Sequence, residues 1–140
     1  MQKHISTSEA QTEQLAEKLA ATLQGDEVLA LHGGLGAGKT AFTRGLARGL
    51  GIDDGVSSPT FALVHEYDGR FTLYHFDMYR IGSYDDLYST GFFDYEGCGV
   101  MVIEWSENIE AFLPEKRINI YIERTSDNER EITIEGAKPI

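Results

Sequence analysis

The segment Gly33-Gly34-Leu35-Gly36-Ala37-Gly38-Lys39-Thr40 constrains this chain more than any other. It satisfies the pattern of a glycine, four residues, then Gly-Lys-Thr, and its flanks give that pattern a structural context. Ahead of it, Glu27 to Leu31 is a short apolar run that predicts a buried strand. Behind it, Phe42, Leu46 and Leu50 fall on one side of a helix predicted to start at Lys39 and to stop at Gly51. Strand, glycine loop and helix in that order turn successive backbone N–H groups inward around a polyphosphate. Glycine permits the positive backbone angles and the close approach this needs. The helix N-terminus adds about half a positive elementary charge aimed at the same anion. Lys39 is then expected to bridge the β- and γ-phosphates of a nucleoside triphosphate, and the Thr40 hydroxyl to ligate Mg²⁺. The plainer alternative is a glycine-rich turn followed by a solvated lysine.

A Mg²⁺-triphosphate site also needs a carboxylate, normally at the C-terminal end of a buried strand that faces the loop. Two candidates compete. Glu104 follows the uninterrupted apolar run Val100-Met101-Val102-Ile103, which suits a central strand covered on both faces. Asp77 ends Leu73-Tyr74-His75-Phe76-Asp77 and reaches the same edge from a neighbouring strand. A further constellation, Ser57-Ser58-Pro59-Thr60-Phe61, lies where a segment that senses a γ-phosphate would lie. Thr60 is its candidate, since a hydroxyl can ligate Mg²⁺ or orient water; a serine-proline turn entering a strand is the alternative. His32, His65 and His75 lack paired ligand spacing and are read as structural.

The rest of the chain supplies a frame for such a site. Leu15, Ala16, Leu19, Ala20 and Leu23 recur at helical steps over Ser8 to Leu23, with Ser8 and Gln11 spaced as an N-cap and its reciprocal partner. Ile52 to Pro59 reads as a loop. Phe61 to Tyr67 and Arg70 to Met78 read as strands joined by a two-residue turn at Asp68-Gly69. Ser83 and Asp86 mark a short helix toward Thr90, and Ser106 to Leu113 another before Pro114. Ile118, Ile120 and Ile122, then Ile132 and Ile134, alternate as a terminal hairpin around Ser126-Asp127-Asn128. The expected architecture is α/β, a P-loop NTPase-like three-layer fold: a parallel core sheet with helices on its faces and added antiparallel strands. At 140 residues, with no linker or repeat, residues 1–140 are expected to form a single domain.

Charge narrows the function. Twelve Lys and Arg against 23 Asp and Glu give −11, and the basic residues form no concentrated stripe, so unaided gripping of nucleic acid is not expected. No run approaches the roughly 20 apolar residues of a membrane span, and the N-terminus lacks a signal-peptide core, so a cytoplasmic location is expected. The single cysteine, Cys98, reads as a packing residue.

Leu35-Gly36-Ala37-Gly38-Lys39-Thr40, Ser58-Pro59-Thr60, His75-Phe76-Asp77-Met78-Tyr79-Arg80 and Glu104-Trp105, in that order, resemble the TsaE (YjeE) family. Its members are small bacterial P-loop ATPases required for threonylcarbamoyladenosine formation on transfer RNA. The resemblance implies that ATP or ADP lies on Gly33, Leu35, Gly36, Ala37, Gly38, Lys39 and Thr40, with Ser8 as an N-terminal contact. It implies that Thr40 and Glu104 bind Mg²⁺, that Asp77 and Thr60 belong to the hydrolytic site with Lys39, and that Trp105 adjoins it. It also implies association with TsaB and TsaD, transfer RNA being met only through that complex. Gly34 departs from the polar residue that relatives often carry second in the loop, and Arg130 resembles a C-terminal arginine near the nucleotide only weakly. Two rivals remain. A small-molecule kinase would need an acceptor pocket and a lid of arginines, where Arg117 and Arg124 stand isolated late in the chain. A nucleotide-gated binding module would turn over negligibly.

Overall fold

The computed structural model describes residues 1–34, 36–52 and 64–140. Its centre is one seven-stranded sheet: β1 (Gln2–Ser6), β2 (Val28–His32), β3 (Val64–Tyr67), β4 (Leu73–Asp77), β5 (Val100–Glu104), β6 (Ile118–Arg124) and β7 (Arg130–Glu135). The strand order is β1-β7-β6-β2-β5-β4-β3. The inner four, β6, β2, β5 and β4, run parallel, while β7, β1 and β3 add antiparallel edges. The expected α/β architecture therefore stands, including the antiparallel additions. Val100-Met101-Val102-Ile103 is buried throughout, as a central parallel strand covered on both faces must be.

Side-chain alternation divides the core in two. Leu29, Leu31, Val100, Val102, Ile118 and Ile120 face helices α1 (Glu9–Ala20) and α2 (Lys39–Gly49). Val28, Ala30, Met101 and Ile103 face the other side, under α3 (Tyr84–Ser89) and the 3-10 helices Phe92–Tyr95 and Ser106–Phe112. α1 is capped as its sequence implies, Ser8 Oγ accepting from Gln11 N at 3.1 Å. The reciprocal bond differs by one residue, because Gln11 Oε1 accepts from Thr7 N at 2.7 Å. α1 and α2 touch backbone to backbone. A Cβ on Gly45 would overlap the Glu13 backbone, and one on Gly49 would lie 2.6 Å from Ala20 Cβ. Arg48 bridges Glu13 and Glu17 at 2.6 and 3.0 Å across the same seam, largely in solvent, so packing carries the contact more than charge does.

The structure adds one strand and corrects two expectations. Residues 2–6 form an edge strand on β7, although only Ile5 among them is a large apolar residue, and it is exposed; the pairing is made by backbone. The Asp68-Gly69 turn is longer than two residues, since Tyr67 pairs with Leu73. Tertiary contacts hold it open: Arg70 N donates to Leu50 O at 2.6 Å, and Arg70 Nη2 to Ala20 O at 2.9 Å. The short helix expected from Ser106 is present as a 3-10 helix, Ser106–Phe112, kinked at Ile109. Cys98 is exposed, not packed. The Ile52–Pro59 loop beyond Ile52 and the first residues of the strand expected from Phe61 lie outside the described residues. No described helix is long and apolar enough to cross a membrane.

Gly45→Ala should lower the free energy of unfolding by about 1–2 kcal/mol, because overpacking against a backbone exceeds the roughly 1 kcal/mol gained in helix propensity. Urea denaturation with an unchanged or raised midpoint would contradict the close seam.

Candidate functional site

β2 and β5 end side by side at the C-terminal edge of the parallel sheet, and the glycine loop leaves β2 there. Two glycines carry the backbone conformations this turn needs, with φ of 74° at Gly36 and 105° at Gly38, which also caps α2. Gly33 answers a different need: a Cβ there would lie 2.7 Å from Ile122 O, so β6 approaches too closely for a side chain. The amides at the start of α2 have no acceptors within the helix and open on a cleft of about 660 Å³. Ser8, Gly36, Ala37, Gly38, Lys39, Thr40, Glu104 and Trp105 all line it. The sequence candidates are thus brought together from α1, the loop, α2 and β5. Leu35 and Thr60 lie outside the described residues.

Lys39 dominates the electrostatics. Its side chain is buried, the residue being 6% exposed, and Nζ has no hydrogen-bond partner among the described residues. The ammonium instead sits 4.2 Å from the centre of the Trp105 ring. An ammonium withdrawn from water without an acceptor is unfavourable, so the arrangement suits an anion that enters the cleft. Trp105 is the only non-glycine residue with positive φ (59°) among those described. That turn, directly after β5, sets the indole over the loop lysine, and Tyr79 packs on it at 4.9 Å between ring centroids.

Glu104 ends β5 at 4% exposure and reaches the cleft. Its Oε2 lies 2.6 Å from Nε2 of His75, a fully buried residue of β4. Asp77 pairs with Glu104 in register on the neighbouring strand, and its Oδ1 accepts from Tyr79 N at 2.9 Å. Asp77 is not among the described residues that line the cleft. A metal would here be held by hard oxygen donors, the Thr40 hydroxyl and the Glu104 carboxylate, with the remainder coming from ligand and water, which suits Mg²⁺. No group of three or more His, Cys, Asp or Glu side chains that could hold a metal occurs among the described residues.

Residues 6–132 match the family model "Threonylcarbamoyl adenosine biosynthesis protein TsaE". The chain belongs to the TsaE family. The tRNA threonylcarbamoyladenosine biosynthesis protein TsaE of Treponema pallidum is 42% identical over 131 residues, 93% of this chain and 97% of that protein. The protein of the same name from Bacillus subtilis is 47% identical over 125 residues, 88% of this chain and 78% of its own length. The crystal structure of Bacillus subtilis YdiB superposes with a TM-score of 0.78 at 42% identity, covering 95% of this chain and 83% of that one. The chain thus shares the P-loop-like fold and a family whose role is tRNA threonylcarbamoyladenosine biosynthesis.

Two features of this TsaE site are stronger in the structure than sequence spacing suggested. Arg130, at the start of β7, donates from Nε to Ala37 O (3.0 Å) and from Nη2 to Gly36 O (3.3 Å), while also bonding Ser126 O and Glu129 O of its own hairpin. The terminal hairpin therefore braces the loop from the wall of the cleft that Asp127, Asn128 and Arg130 form; Arg130 and Ala37 stand 93 positions apart in the chain, so no local pattern marks the pair. His75, read from sequence as structural, contacts the site carboxylate directly. The HxD spacing of His75 and Asp77 was the available signal, because alternate residues of β4 share a face. At the margin of the loop, His32 stacks on Tyr121 with ring centroids 4.5 Å apart. Partial burial, then the Glu135 carboxylate, pushes the Tyr121 phenol above its ordinary pKa.

Trp105 is the sole tryptophan, so its emission reports on Lys39. An ammonium against an indole quenches it by excited-state proton transfer. Lys39→Met should brighten the protein's fluorescence while leaving its circular dichroism unchanged; identical emission from the two proteins would contradict the stacked pair.

Proposed function

We propose that this TsaE chain binds and hydrolyses ATP with Mg²⁺, and that its nucleotide state governs docking to TsaB and TsaD during threonylcarbamoyladenosine formation on tRNA. The observation that carries the reading is the buried Lys39 ammonium, without a hydrogen-bonding acceptor among the described residues, on the first turn of a helix whose amides open into the same cleft.

The residues divide the work by chemistry. The glycine loop and the first turn of α2 present N–H donors to phosphate oxygens, and Lys39 exchanges its contact with the Trp105 face for the β- and γ-phosphates. Thr40 and Glu104 hold Mg²⁺, which when bound neutralises charge on the phosphate oxygens. Asp77, beside Glu104 on the sheet edge, and Thr60 are the candidates to order the attacking water. Trp105 and Tyr79 exclude solvent from one side of Lys39. Because the chain carries −11 overall, the transfer RNA is gripped by the partner subunits.

Replacing Lys39 with Ala should weaken Mg²⁺-ATP binding by about 10- to 150-fold in calorimetry, the equivalent of a charge-assisted contact of about 1.5–3 kcal/mol. Unchanged affinity would count against the site. With the unaltered protein, inorganic phosphate released from ATP, and raised by TsaB and TsaD, supports coupled hydrolysis. Phosphate passed instead to a small-molecule acceptor would favour a kinase, and binding with no release a gated module.

A further inference from the structure

His75 is wholly buried, yet one ring nitrogen is committed to the carboxylate that lines the cleft and the other meets no partner among the described residues. Register explains the contact. β4 and β5 run parallel with His75 opposite Val102 and Asp77 opposite Glu104, so His75 and Glu104 are diagonal neighbours on the face that carries α1 and α2. At 2.6 Å, Nε2 donates a hydrogen bond to the carboxylate oxygen Oε2. A purely structural histidine in a core is expected to satisfy itself on backbone or to be replaced by an apolar side chain. Among the described residues this one leaves Nδ1 unpaired while Nε2 holds a glutamate side chain that is itself only 6% exposed.

We propose that His75 is the positioning residue for the metal-binding carboxylate: by engaging Oε2 it fixes the rotamer of Glu104 and leaves Oε1 available to the cleft that Glu104 shares with Thr40. Without that bond the glutamate has no hydrogen-bonding neighbour among the described residues to choose one rotamer for it. A ligating carboxylate that must be ordered at the moment of metal binding binds more weakly than one already held. The inference rests on the reading of Glu104 as a Mg²⁺ ligand and adds to it the residue that makes Glu104 effective.

The test measures metal affinity, not turnover. Mn²⁺ binding to ADP-loaded protein is followed by electron paramagnetic resonance, and ADP affinity is measured separately in EDTA. His75→Leu, similar in volume but without a donor, should weaken Mn²⁺ binding by about 10- to 100-fold while leaving metal-free ADP affinity intact. His75→Gln, which restores an N–H donor, should recover most of that loss. Unchanged Mn²⁺ affinity in His75→Leu overturns the proposal, as does an equal fall in metal-free ADP binding or a His75→Gln variant no better than His75→Leu. Glu104→Gln separates the two levels: if it weakens Mn²⁺ binding and His75→Leu does not, only the positioning role fails. If Glu104→Gln has no effect, the metal reading fails and the positioning role with it. Should His75→Leu not fold, ¹⁵N-histidine NMR on the unaltered protein reads the same contact. Mg²⁺ added to the ADP-loaded protein should shift the His75 Nε2 resonance and leave that of His4, on the edge strand, in place. A His75 signal indifferent to Mg²⁺ overturns the proposal.

Discussion

An ammonium held out of water, with no acceptor among the described residues, is the interaction around which this molecule is organised. Lys39 reaches that state because it is the first residue of α2, because the loop before it turns through two glycines of positive φ, and because Trp105 closes over it. Each of these costs free energy in the absence of a ligand: the desolvated charge, the left-handed tryptophan, the unpaired amides. A fold retains such a set where an anion offsets all of them together.

The sheet makes that set possible. Parallel strands β2 and β5 deliver the loop and Glu104 to one edge, since both end there by topology rather than by local sequence. The terminal hairpin of β6 and β7 is not ornamental. β6 presses on Gly33, and Arg130 of β7, itself part of the cleft wall, holds the carbonyls of Gly36 and Ala37. On the far side of the central strands β4 brings His75 beneath Glu104 and Asp77 beside it. The close α1–α2 seam places Ser8 at the mouth of the same cleft. The core, the braces and the chemistry are one construction.

Much of this was legible in the sequence because it was written in local patterns. The strand-loop-helix around Gly33 to Thr40, the Ser8 and Ser83 caps and the buried β5 each depend on residues close in the chain. What escaped depends on distant partners. β1 is polar and holds by backbone pairing with β7; the turn after Tyr67 is set by Leu50 and Ala20; Arg130 and His75 acquire their roles from loop and strand neighbours that no spacing rule announces. The choice between Asp77 and Glu104, open on sequence, gains a geometric distinction: Glu104 lines the cleft, while Asp77 caps the turn at Tyr79.

Recognition of a polyphosphate tail is what the loop, Lys39 and the helix N-terminus share, and a ligand series tests it most directly. Calorimetry with ATP, ADP, AMP and adenosine at fixed Mg²⁺ should show binding for the first two and a steep loss once only one phosphate remains, since the loop amides and Lys39 then lose their acceptors. AMP or adenosine bound as tightly as ATP would place recognition on the nucleoside and contradict the role assigned to the glycine loop.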